Sequence, residues 1–267
     1  MAYQIDFSDI DGTMLDSNHQ LRDTTRQAIL TLRGKGVPFV IVSARNPGSI
    51  DTVQRAIGVR VPMVSFSGAL IFDENRQVVH TQGFSADTAR AVVAYVETHK
   101  LDCTWNIYAG DLWLTKSRQA PRVVVEESIV GIQATEGTVE DLPSDTVVGK
   151  VLCMCNPQKA EAIRLELQGA FPDLQFCLST AENLEVMPKG LNKATAVETL
   201  CRLWHIPTEK AMAFGDNYND VEMLQAVGAP FLMANAPEEL KAKILSHTES
   251  NDEDGIVKAL QRCGMVP

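Results

Sequence analysis

The sequence predicts an α/β protein: a doubly wound parallel sheet whose two halves are separated in the chain by an α+β insert. Three observations predict it. Near the N-terminus, short apolar runs alternate with helix-like segments. The middle of the chain changes to β-rich runs and a hairpin signal, and after Pro188 the first texture returns. Strand–helix–strand alternation with near-continuous apolar strands marks a parallel sheet covered on both faces.

Ile5-Asp6-Phe7-Ser8 reads as a short strand running into Asp9. Thr24 to Arg33 carries leucine and isoleucine at helical spacing, with Gly34 and Gly36 as its stop. Val37 to Val42 reads as a strand buried on both faces, Ser49 to Ile57 as a second helix and Met63 to Phe66 as a further strand. Ala86 to Thr98 is helical, and then CTWNIY and DLWLT flank an Ala-Gly-Asp turn, which signals a hairpin. Val147 to Cys155, Leu174 to Leu178 and Glu182 to Met187 read as strands around a helix from Gln158 to Gly169. Past Pro188-Lys189-Gly190 come a helix over Lys193 to Trp204, a strand over Ala211 to Phe214 and a helix over Asn219 to Val227. Residues 1–83 and 188–267 therefore form one Rossmann-like domain, and residues 84–187 an inserted second one.

Composition bounds the function. The chain has 267 residues, of which 45% are hydrophobic and 22% charged, ample to bury a core. A net charge of -10 repels polyanions, so nucleic acid is not expected as a partner. No apolar run approaches the roughly 20 residues that span a bilayer. The opening MAYQIDFSDIDG has no basic region followed by an apolar run, so no secretory signal is expected. The six cysteines show neither CxxC nor metal-ligand spacing and read mostly as buried thiols of a reduced, cytoplasmic protein.

Chemistry gathers at predicted strand ends. Asp9 and Asp11 stand two apart in Asp-Ile-Asp-Gly-Thr, so both carboxylates can face one site beyond the sheet's carboxyl edge. Two such carboxylates repel each other, and Mg²⁺, with its taste for oxygen ligands, is the expected remedy. The same residues also suit a capped turn. Gly215-Asp216-Asn217-Tyr218-Asn219-Asp220 is a second acidic cluster after a buried strand. As a calcium loop it fails, because Tyr218 takes the third ligand place and Val221 that of the required glycine. A helix N-cap suits it too, and is compatible with metal binding. Ser43-Ala44-Arg45 ends one strand and Lys193 opens one helix, and both suit a phosphate. No P-loop pattern occurs.

In this order these segments resemble the haloacid dehalogenase superfamily, and within it the Cof-type sugar-phosphatase-like hydrolases. DIDGTMLDSNHQL resembles the first motif, VIVSARNP the second, PKGLNKATAV the lysine motif and AFGDNYNDVEMLQAVGAPFLMANAPEELK the fourth. The tail SNDEDGIVKAL also matches, so the resemblance covers essentially the whole chain. Ser43-Ala44-Arg45 stands where the group usually has Thr-Gly-Arg, and Ser67-Gly68-Ala69 where it has Asn-Gly-Ala.

The resemblance implies a Mg²⁺-dependent phosphatase working through a phosphoaspartate. Asp9 would be the nucleophile and Asp11 the general acid/base. Ser43 and Lys193 would hold the phosphoryl group, with Ile10, Ala44 and Asn219 as further phosphate contacts. Asp9, the Asp11 carbonyl and Asp216 would bind Mg²⁺, and Asp220 would support the metal or orient Lys193. The insert would be a cap domain selecting a small phosphate ester, with sugar phosphates foremost. On its hairpin, Trp105 and Trp113 read as core, while Asn106 and Tyr108 are the candidate substrate contacts. A monomer or small homo-oligomer is expected. The rivals are a phosphotransferase or phosphosugar mutase sharing the phosphoaspartate, and a non-catalytic phospho-ligand sensor. Asp11 weighs against the sensor, because binding alone needs no second carboxylate.

Overall fold

The computed structural model describes residues 3–267. The chain divides into two compact units: one gathers the chain up to Arg45, Ile50–His80 and Asn192–Pro267, the other Asn46–Ser49 and Thr81–Leu191. The insert expected over residues 84–187 lies within the second unit.

In the first unit a seven-stranded sheet runs in the order Ala229–Leu232, Ala211–Gly215, Ile5–Ser8, Phe39–Val42, Met63–Ser65, Leu70–Phe72, Val78–Thr81. The first five strands are parallel, and Leu70–Phe72 joins antiparallel. Alternate strand residues face two separate cores, which is why these strands read as unbroken apolar runs. On one face Phe39, Ile41, Met212 and Phe214 pack with helices Asp23–Gly34, Pro47–Ile57 and Gly255–Arg262. On the other, Ile5, Phe7, Val40 and Ala213 pack with helix Lys193–Leu203 and with Met223 and Leu224. From Ile5–Ser8 the chain builds outward through Phe39–Val42, and after the insert it returns on the other flank at Ala211–Gly215. That reversal is the switch point of a doubly wound sheet, where the carboxyl ends of adjacent strands leave a crevice.

Asp6 breaks the apolar pattern. It is fully buried between Phe39 and Met212 in register, and neither carboxylate oxygen has a hydrogen-bond partner. Burial pushes its pKa up to about 8.

The second unit carries a six-stranded sheet ordered Leu174–Leu178, Asn183–Pro188, Lys150–Cys155, Cys103–Ala109, Leu112–Thr115, Thr135–Glu136. Helices Ala86–Thr98 and Ala160–Ala170 cover one face through Val92, Val93, Val96, Ile163 and Leu167.

The structure corrects several expectations. The strand read over 147–155 breaks at Gly149: Val147–Val148 pairs with Phe84–Ser85, and Lys150–Cys155 joins the large sheet. The helix read over 219–227 is a 3₁₀ turn at Tyr218–Asp220 followed by α-helix at Val221–Gln225. Its start is diverted because the Asp220 carboxylate turns back to accept from the amides of Asp216 and Asn217. Helices Pro121–Val130 and Gly255–Arg262 and strand Ala229–Leu232 were not among the expected elements.

Asn106 and Tyr108 are also corrected. Both are buried, at 0% and 3% exposure. The Asn106 amide donates to the carbonyls of Thr104 and Leu152 and accepts from Trp113 Nε1, while Tyr108 stacks on the Trp113 ring. Asn106 thus satisfies the unit's own interior instead of presenting its amide to a ligand. All six cysteines are free thiols; Cys153, Cys155 and Cys201 are buried, whereas Cys177 is exposed. Among the described residues no helix is long and apolar enough to cross a membrane.

Candidate active site

The site is built where the first strand ends. The Asp9 amide still donates to Phe214 O at 3.0 Å, as a continuation of the ladder. The chain then leaves the sheet in a π-type turn, Ile10–Met14, in which Asp11 is extended and Gly12 is left-handed at φ 76. Glycine is required at that position twice over. A Cβ there would lie 2.4 Å from Asp216 Oδ2, and the left-handed backbone strains any L side chain. Thr13, next in the turn, donates to Asp216 Oδ1 at 2.7 Å.

Lys193 begins its helix behind an Asn192 N-cap that accepts from the Thr195 amide. Its side chain is 1% exposed, and Nζ donates to Asp9 Oδ1 at 2.7 Å and to Asp220 Oδ1 at 2.6 Å. Burial alone would lower the lysine pKa, but the charges of Asp220 and Asp9 more than reverse this and raise it, so Lys193 is a fixed cation. Gly215 allows the packing, since a Cβ there would meet Asp220 Cβ at 2.5 Å.

Asp9, Asp216 and Asp220 bring carboxylate oxygens within 4.8 Å of one another. One lysine does not balance three carboxylates. Burial, then the Asp220 and Asp216 charges, pushes Asp9 up to about 7 against the pull of Lys193. Burial, with Asp220 and Asp11 adding to it, pushes Asp216 up to about 6. Uncompensated negative charge on hard oxygen donors is the electrostatic setting for a divalent cation such as Mg²⁺. The three carboxylates differ in how far they are committed. Asp220 spends one oxygen on Lys193 and the other on two backbone amides, whereas Asp9 and Asp216 each give Oδ1 to a single donor. The donor set therefore fits an ion at Asp9 and Asp216, with Asp220 orienting Lys193.

The remaining expected residues lie on the neighbouring strand end and in the turns. Ser43 ends the strand beside the first one; it is 2% exposed, and its Oγ accepts from the Arg45 amide at 3.1 Å. Ala44 is half-buried beside it. The Ile10 side chain belongs to the apolar core, so only its backbone faces the turn. Asn219 is exposed in the 3₁₀ turn.

Sequence reading missed Arg45 as a side chain. Its Nε and Nη2 grip the two Asp11 oxygens at 2.8 and 2.6 Å, a bidentate pair, and His19 Nδ1 lies 3.8 Å from the same carboxylate. The available signal was a guanidinium three residues past a strand end in an acidic protein.

A two-unit α/β chain with a buried Asp–Lys–Asp cluster at the switch point defines a class, and comparison with known proteins gives the family. Residues 7–260 match the haloacid dehalogenase-like hydrolases, and the chain belongs to that family. A Haemophilus influenzae relative, named only provisionally as a phosphatase, is 31% identical over 98% of both chains. The HMP-PP phosphatase of Escherichia coli O157:H7 is 26% identical over 88% of this chain and 86% of its own. Among solved structures, a haloacid dehalogenase-like hydrolase from Bacteroides thetaiotaomicron superposes with TM-score 0.88 at 22% identity, covering 97% of this chain and 99% of its own. A subclass IIB sugar phosphatase of the same superfamily superposes with TM-score 0.80 at 21% identity, covering 98% and 100%. These structures establish the shared fold.

Proposed function

We propose that this hydrolase is a Mg²⁺-dependent phosphatase acting on small phosphorylated metabolites, sugar phosphates foremost, through an aspartyl phosphate on Asp9. The observation that carries the reading is Lys193, buried between Asp9 and Asp220 beside Asp216. In this reading an Asp9 oxygen attacks phosphorus, the ester P–O bond breaks, and Asp11, released from the Arg45 grip and protonated, gives its proton to the leaving oxygen. Asp11 then takes a proton from water, whose oxygen attacks phosphorus and releases inorganic phosphate from Asp9. Ser43, Lys193, the backbones of Ile10 and Ala44, and Asn219 hold the phosphoryl oxygens as charge builds. Asp9, the Asp11 carbonyl and Asp216 would hold Mg²⁺, which when bound offsets the charge of the phosphate.

Residues 84–187 act in this proposal as the cap that selects the substrate, and their insertion between the two halves of the sheet domain supports it. The names of the HMP-PP phosphatase and the sugar phosphatase support a small phosphate ester as ligand. Six free thiols are in keeping with a reducing, cytoplasmic setting. The test is phosphate release from a panel of phosphorylated sugars and pyrimidines, with and without Mg²⁺. Asp9→Asn, isosteric but unable to attack, is expected to abolish turnover with an unchanged unfolding transition. Full turnover by that variant, or in excess chelator with no metal retained, refutes the reading.

A further inference from the structure

The tail motif SNDEDGI has no part in the chemistry above, yet it is tied to the turn that carries Asp9 and Asp11. Asn235 Nδ2 donates to Gly12 O at 2.8 Å, and Asn251 Nδ2 donates to Leu15 O at 2.9 Å. The two asparagines are linked, because the backbone N–H of Asn251 donates to Asn235 Oδ1 at 3.2 Å. Further along, Ser17 N donates to Asp252 at 2.8 Å, and Asp254 accepts from Arg22 and Thr24. The turn needs an outside hold. With Asp11 extended and Gly12 left-handed, a helical ladder does not define its path. Leu15 N ties back to Ile10 O at 2.9 Å at its end.

We propose that Asn235 and Asn251 form a two-amide clamp on the Gly12 and Leu15 carbonyls, and that they are positioning residues for phosphoryl transfer. An amide suits the task because it gives and accepts at once: Asn235 holds Gly12 with its donor and Asn251 with its acceptor. The catalytic pair sits at the start of this turn, where small displacements of reacting groups are costly. The inference rests on the proposed roles of Asp9 and Asp11.

The test uses Asn235→Ala, Asn251→Ala and the double variant of the full chain, with Ile29→Val as a core-destabilised control that leaves the clamp untouched. The readouts are kcat and KM for nitrophenyl phosphate, the unfolding midpoint, and hydrogen exchange of a peptide covering residues 10–22. Each single variant is expected to lose about tenfold or more in kcat, with KM held within about threefold. Exchange of that peptide should accelerate selectively. Because the Asn251 backbone hangs on Asn235 Oδ1, Asn235→Ala should loosen both holds, and the double variant should lose little more than Asn235→Ala alone. Unchanged kcat and exchange overturn the clamp, as do losses that multiply or an equal kcat loss in Ile29→Val. Turnover by Asp9→Asn instead condemns the reading of the site, and the exchange data then still decide whether the clamp holds the turn.

Discussion

Lys193 and Asp220 meet at 2.6 Å with both side chains essentially shielded from solvent, and the second Asp220 oxygen pins the loop that carries Asp216. One carboxylate therefore positions both the fixed cation and a neighbouring acid. Removing Asp220 leaves Lys193 paired with Asp9 alone and strands the amides of Asp216 and Asn217 without their acceptor, at about 1–3 kcal/mol for a buried group left unsatisfied. Asp220→Ala is expected to lose stability on that scale in urea unfolding at neutral pH, and turnover with it. A loss under about 1 kcal/mol would show that the pair behaves like an exposed one.

Gly12 and Gly36 separate backbone strain from site packing. Both are left-handed, at φ +76 and +72, but a Cβ at Gly12 would run into Asp216 whereas at Gly36 it meets nothing within 4 Å. Gly36→Ala is expected to cost about 1–2 kcal/mol and leave kcat intact. Gly12→Ala should cost about 10²-fold in kcat in addition. Equal kinetics for the two variants would mean that the turn tolerates displacement of Asp216.

Asp11 is held at the edge of the cluster by Arg45, outside the Lys193 network. As an acid for the leaving group, it matters most when the leaving oxygen is basic. Asp11→Asn is expected to cost about 10²–10⁴-fold for sugar phosphates and less for nitrophenyl phosphate. Equal losses without an accumulated phosphoenzyme would remove Asp11 from both proton transfers.

Asp6 gives a pH signature remote from turnover. Its folded pKa of about 8 stands above the ordinary 3.8, so between these values the folded chain keeps a proton that the unfolded chain has lost. The contribution of Asp6 to stability is therefore greatest below pH 4, falls as pH rises, and levels off above pH 8. Asp6→Val, which suits a buried strand, should be more stable than wild type at neutral pH. The gap should widen by up to roughly 1.4 kcal/mol per pH unit across that window. A gap that stays constant with pH would show that Asp6 is ionised in the fold.

Legibility followed the range of the interactions. Short-range patterns announced the strands at Ile5–Ser8, Phe39–Val42 and Ala211–Gly215, because a strand buried on both faces must be apolar throughout. They also announced the acidic clusters after two of those strands, since backbone geometry alone puts Asp9 and Asp216 at a carboxyl edge. At Asn106 the sequence offered a substrate contact on the hairpin. In the fold its amide is bonded to Trp113 and Leu152, partners set by strand pairing and not by local pattern.

By itself the sequence determined the layered α/β core, the insert between its halves and the residues gathered at the sheet edge, because each follows from local pattern and chain order. Only the tertiary structure decided that Arg45 grips Asp11, that Asp220 is spent on Lys193 and two amides, that Asp6 is buried without a partner, and that Asn235 and Asn251 reach back to Gly12 and Leu15. Those pairings join segments far apart in the chain. Which donor meets which acceptor there depends on how helices and loops pack over the sheet, and no local periodicity encodes that.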